Sequence, residues 1–157
     1  MKDAVYYERY MNEALKEAKK AYEKKEVPIG AVVVKKGEII GRGYNLKECC
    51  QDTTEHAEII AIKEACKNLG HWRLEGCTLY TTLEPCPMCM GAIINSRMKR
   101  VVYGSRDFKS GVCDSVMRMH EFRFNHKVLV NGGILAEESK ALLTKFFGEL
   151  RNEKKEE

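Results

Sequence analysis

The chain has 157 residues, 44% of them hydrophobic, with 27 basic residues, 23 acidic ones and a formal net charge of +4. That length suits one globular domain, residues 1–157, with a real core, and is short for two domains of ordinary size. No apolar run approaches the roughly 20 residues of a membrane span, and Met1-Lys2-Asp3 opens into a charged helical pattern instead of an apolar signal segment, so the expected address is the cytoplasm with no membrane partner.

Tyr7, Met11, Leu15, Ala18 and Tyr22 recur at helical spacing among charged residues, which predicts an amphipathic packing helix from about Tyr6 to Lys24. Val27-Pro28 ends that pattern. Ile29 to Val34 is a continuous β-branched run, the composition of a strand buried on both faces, and Lys36-Gly37 turns it into an antiparallel partner from Glu38 to Tyr44. Asn45 closes that strand, where its amide either presents a donor and an acceptor to a purine edge or simply stabilises a turn.

Asp52-Thr53-Thr54-Glu55 carries cap residues with an acid three positions on, a helix-start signal that puts His56 and Glu58 in the first turn and Ile59, Ile62, Cys66 and Leu69 on one face. Gly70 ends this helix, and Cys77 to Thr82 reads as the next strand. Pro85 and Pro87 bracket Cys86 ahead of a helix from Pro87 to Asn95, because proline is tolerated at a helix start and not inside it. Further on come a strand from Arg100 to Gly104, a helix from Val112 to Met119, a strand from Lys127 to Asn131 and an amphipathic helix from Ala136 to about Leu150 followed by a charged, frayed tail. The alternation implies an α/β fold, a three-layer α/β/α sandwich with a mixed five-stranded sheet and helices on both faces.

Seven cysteines, an odd number, argue for reduced thiols and metal ligation over a disulfide framework. Cys66 and Cys77 fall on apolar patterns and read as small core residues. His56, Cys86 and Cys89 supply three ligands of the kinds zinc prefers, and a catalytic zinc keeps its fourth position for water. Cys86 and Cys89 are three positions apart on one helical turn, whose N-terminus favours their thiolate forms. Glu58, two residues beyond the histidine, is placed to move protons on water without touching the metal. From Arg97 to Lys127 there are eight basic residues against three acids, a local excess that either steers a phosphate backbone or is an ordinary solvated face.

His56-Ala57-Glu58 followed by Pro85-Cys86-Pro87-Met88-Cys89 is the H-x-E and P-C-x-x-C signature of nucleobase deaminases. Together with Glu26-Val27-Pro28-Ile29-Gly30-Ala31-Val32, Asn45, Trp72-Arg73-Leu74, Asp107 with Lys109 and Gly111, Asn125-His126 and Phe146-Phe147, it makes the chain resemble, from Tyr7 to Arg151, the bacterial tRNA-specific adenosine deaminases of the cytidine deaminase-like superfamily. The resemblance implies a homodimer with one Zn2+ per subunit, converting adenosine to inosine at the wobble position of a tRNA anticodon stem-loop, chiefly of an arginine tRNA. It also implies that Asn45 and the backbone around Ala57 hold the purine, that Val27 and Pro28 line its pocket, and that Asp107 and Lys109 contact neighbouring nucleotides. Phe147 would lie near the RNA, with Phe146 in the core. The chain departs from the family pattern at Thr53, Glu55, His71 and Phe108, the last standing where proline or alanine is frequent. The rival expectations are a deaminase of free guanine, cytidine or cytosine, and a non-catalytic RNA-binding module built on a structural zinc.

Overall fold

In the computed structural model, which describes residues 2–157, the apolar run after Pro28 becomes β1 (Gly30–Lys35), and its alternating side chains feed two separate cores. Ala31 and Val33 join one cluster, Val32 and Val34 the other, so this strand needs helices on both faces. Lys36 and Gly37, with φ of 48° and 81°, form the two-residue hairpin to β2 (Glu38–Tyr44), as their composition predicts. β3 (Thr78–Leu83) pairs antiparallel with β1, and β4 (Arg100–Ser105) and β5 (Leu129–Asn131) add in parallel, giving the order β2-β1-β3-β4-β5. This is the expected mixed five-stranded sheet.

α1 (Lys2–Glu23) and α5 (Ala136–Glu156) pack on one face of the sheet, and α3 (Ala57–Leu69) and α4 (Pro87–Asn95) cover the other. A short α2 (Lys47–Cys50), absent from the sequence reading, follows β2. Met90 and Met98 are buried in the larger core with Cys77, while Cys66 is only half-buried.

Four expectations are corrected. Of the expected face of α3, Ile62 is buried in the core and Cys66 and Leu69 pack half-buried against it, but the innermost side of the helix is Ala57, Ala61 and Ala65, all fully buried, and Ile59 is half-buried. A Cβ at Gly43 would lie 2.3 Å from the Ala57 carbonyl oxygen and 2.7 Å from the Ala61 nitrogen, so the helix backbone rests on β2 and only alanine fits at the contact. Asp52 does not cap α3: its carboxylate accepts the N–H and O–H of Thr54 and closes a separate turn, and the helix starts later, with His56 as its N-cap. No helix forms from Val112 to Met119, where turns and one 3₁₀ turn (Met119–Glu121) stand instead. The charged tail continues α5 through Glu156, since Glu, Lys and Arg are strong helix formers and Lys154 and Lys155 suit the negative end of the helix.

Candidate metal centre and its pocket

Two helices begin at the same point in space. His56 is the N-cap of α3 and Cys86 the N-cap of α4, both in extended backbone and neither making a side-chain capping bond, so their side chains are left for each other. His56 Nδ1 lies 3.7 Å from Cys86 Sγ and 3.5 Å from Cys89 Sγ, and the three ligand atoms lie within 4.8 Å of one another. Pro87 at the first helical position of α4 fixes the entry of the chain, and one turn then brings Cys89 beneath Cys86. Among the described residues, no other group of histidine, cysteine and carboxylate side chains meets in this way.

The protonation pattern follows from crowding. Cys89 shares its proton with Cys86, and His56 faces the same sulfur, so the Cys86 thiol is lowered to about 4. Cys89 is held up by that same pairing, by burial and by the Glu58 carboxylate, and stays a thiol. His56 is pushed up, chiefly by its contact with Cys86. One thiolate, one thiol and an imidazole meet here, and ionising the second sulfur calls for a cation; one imidazole nitrogen with two sulfurs is a donor set that holds a tetrahedral ion with a fourth position open. The residues therefore fit a metal.

Glu58, in the first turn of α3, is 4% exposed and touches the Cys89 thiol. Burial raises its carboxyl well above the usual carboxylate range. It is not one of the three clustered ligands.

His56 and Cys86, with Glu58, form the floor of a cavity of about 160 Å³, close to cavities that take a single flat ring, and Cys89 is fully buried behind them. Val27, Ile29 and Leu83 supply its apolar wall, and Ala57 lines it beside His56. Pro28 is buried and is not among the lining residues; Ile29 takes that place. Asn45 lines the cavity with its amide already engaged, Nδ2 donating to the Val27 carbonyl and Oδ1 accepting from Lys47 N–H, which leaves one donor and one acceptor position open. Asp107 also lines it while organising its own turn, accepting from Lys109 N–H, Ser110 N–H and Ser110 Oγ–H. Lys109 and Phe147 do not reach this cavity and line a neighbouring groove instead.

Sequence reasoning missed Lys47, Ser110 and above all Glu84. This residue is 2% exposed, and its carboxylate accepts the N–H groups of Asp107, Cys113, Asp114 and Ser115 together with the Ser115 hydroxyl. The Cys113, Asp114 and Ser115 N–H groups are donors that a helix starting at Val112 would itself leave unpaired, so Glu84 satisfies them, and the chain then runs on in turns, with Val116 N–H bonded to the Gly111 carbonyl and Met119 N–H to the Val112 carbonyl in place of a helical ladder. Gly111 is required here, because a Cβ would sit 2.4 Å from the Glu84 carboxyl carbon. Burial alone would raise Glu84, but the hydroxyl and amide donors outweigh it and hold the carboxyl below its ordinary value. A quieter version stands on the opposite rim, where buried Glu26 accepts from Glu48 and Cys49 N–H and holds α2 in place. The signal available in the sequence was a lone acid between Leu83 and Pro85, in a run otherwise fit only for burial.

Residues 6–151 match the profile of the MafB19-like deaminase family. A tRNA-specific adenosine deaminase of Bacillus subtilis (strain 168) is 57% identical over 149 residues, covering 94% of this chain and 92% of the relative. One from Aquifex aeolicus (strain VF5) is 48% identical over 146 residues, covering 92% and 96%. A solved structure from studies of A-to-I editing by tRNA:A34 deaminases at the wobble position superposes with a TM-score of 0.83 at 43% identity, covering 86% of this chain and 99% of that one.

Proposed function

The chain belongs to the MafB19-like deaminases and, within them, to the tRNA-specific adenosine deaminases, and from that premise we propose that it is the enzyme that hydrolyses adenosine to inosine at the wobble position of a tRNA anticodon, chiefly of an arginine tRNA. The observation that carries this is the convergence of His56, Cys86 and Cys89 beside a buried Glu58 at a cavity sized for one base.

His56, Cys86 and Cys89 would hold one Zn2+ per subunit. When bound, zinc supplies Lewis-acid polarisation and makes hydroxide accessible near neutral pH. Glu58 takes one proton of the water that adds to the amino-bearing carbon and delivers it to the adjacent ring nitrogen, then takes the remaining hydroxyl proton and passes it to the amino group as the C–N bond breaks, the C=O forms and ammonia leaves. Its raised proton affinity suits a group that must both accept and give. Asn45 offers its free donor and acceptor positions to the purine edge, Val27 and Ile29 cover the ring, Asp107 meets the neighbouring nucleotide at the cavity wall, and Lys109 and Phe147 face nucleotides outside the cavity. A base held this deep must leave its stack, which an unpaired anticodon loop allows cheaply.

Residues 1–157 act as a single deaminase domain. Homodimerisation is supported by the segment that exposes Val116, Met117, Phe122 and Phe124, an apolar surface that sedimentation at micromolar concentration should find covered. A cytoplasmic location is supported by seven free cysteines, which suit a reducing compartment. The deciding experiment treats an arginine-tRNA anticodon stem-loop with the purified chain and reads inosine by sequencing, beside free adenosine, guanine and cytidine. Ammonia from guanine or cytidine with no inosine in the loop would overturn the assignment in favour of a small-molecule deaminase.

A further inference from the structure

The loop after β4 separates two cavities. Asp107 and Ser110 face the catalytic pocket, while Arg106, Phe108 and Lys109 face a larger groove of about 730 Å³ whose far wall is α5. The turn closed by the Asp107 carboxylate, itself anchored through its N–H to Glu84, divides its side chains between the two cavities. Phe108 is 74% exposed, more than any other large apolar side chain among the described residues. It is nevertheless not loose. The Arg106 guanidinium carbon lies 5.0 Å from its ring centroid, and that guanidinium is pinned by hydrogen bonds to Ser115 Oγ (3.2 Å) and the Asp114 carbonyl (3.0 Å). Across the groove, α5 contributes Lys140 and Arg151, and Phe147 at 40% exposure; Glu137 is the acid among the residues lining it.

We propose that Phe108, backed by Arg106, is a stacking platform for an unpaired RNA base flanking the target adenosine, with Lys109, Lys140 and Arg151 holding the phosphates on either side; this rests on the tRNA assignment above. An exposed ring on a fixed cation, in a positively charged groove, is the arrangement by which single-stranded nucleic acid is gripped through its base faces and backbone. The catalytic cavity has room for one base, so the bases next to it in the loop must lie outside, and the shared wall of the two cavities puts Phe108 one residue from Asp107. Such a platform tolerates any base, because every base has a π-face. Selectivity at the flanking position then comes from contacts other than Phe108.

The test uses the zinc-loaded full chain and an anticodon stem-loop, intact or with an abasic residue on either side of the wobble adenosine. Phe108→Ala is expected to raise KM on the order of tenfold, with a smaller change in the single-turnover rate at saturating RNA, and Phe108→Trp to restore KM. The Phe108→Ala penalty should collapse on one of the two abasic loops, a dependence that a merely structural role would not produce. Lys140→Ala should lower the slope of log KM against log salt by about one. Phe108→Ala behaving as wild type on the intact loop, or a penalty undiminished on both abasic loops, overturns the platform alone. A wild-type chain that forms no inosine in the intact loop brings down the tRNA assignment, and the platform with it.

Discussion

Glu58 and Glu84 line one cavity, both nearly inaccessible to solvent, and they are pushed in opposite directions. Glu58 sits on the floor, where burial dominates and the Cys89 thiol is its side-chain donor, so its proton affinity rises. Glu84 stands in the wall, where burial also works against the charge but four backbone N–H groups and a hydroxyl more than offset it. Similar solvent accessibility does not mean similar chemistry: Glu58 is packed more deeply and Glu84 has more donors aimed at it, and the two differences act in the same direction, one suiting a group to move a proton and the other to hold a loop. The floor is built for reaction and the wall for position.

The largest effect expected on the floor comes from removing a sulfur. Cys89→Ala should leave the chain without a stoichiometric metal by elemental analysis and without detectable inosine formation. Glu58→Gln is the next step down: a slowing of about 10²–10⁴-fold in single-turnover deamination, with metal content and melting temperature close to wild type. If that variant also lost its metal, the separation of ligand from proton carrier would fail.

On the wall the expected order of effects reverses, stability before rate. Glu84→Gln turns an amide donor toward backbone donors, and leaving buried groups unmatched costs about 1–3 kcal/mol, or on the order of 5 °C in melting temperature for a chain of this size. KM should rise while metal content holds. Should Glu84→Gln instead depress the saturated single-turnover rate as severely as Glu58→Gln, the contrast between the two carboxylates would not survive.

Acid sharpens the same contrast. The Glu84 carboxyl is held below its ordinary value of 4.5 in the folded chain, so its stabilisation is complete above that pH and is lost as pH falls through its folded value. Melting curves at neutral pH and in acid should therefore converge between wild type and Glu84→Gln as the carboxylate is protonated. The smallest effect belongs to Glu26→Gln, which disturbs two N–H contacts to α2 and should cost about 1 kcal/mol with a modest rise in KM.

Much of the floor was legible in the sequence because it is local. His56 and Glu58 are two residues apart, Cys86 and Cys89 three, and each pair is held by a single helix start; the five strands follow from β-branched runs and turn residues of equally short range. The wall was not legible. Local spacing at residues 112–119 reads as a helix; in the fold the N–H groups of Cys113, Asp114 and Ser115 turn to a carboxylate some thirty positions earlier and the chain continues in turns. The face of α3 was legible only in part: Ile62 is in the core with Cys66 and Leu69 against it, but the periodicity of those residues cannot register that a glycine strand presses against the helix backbone at Ala57 and Ala61. Spacing along the chain determined the candidate metal ligands and the glutamate proposed as proton carrier. The shape of the pocket around them was decided by buried hydrogen bonds and close backbone contacts between segments far apart in sequence, which exist only once the chain has folded.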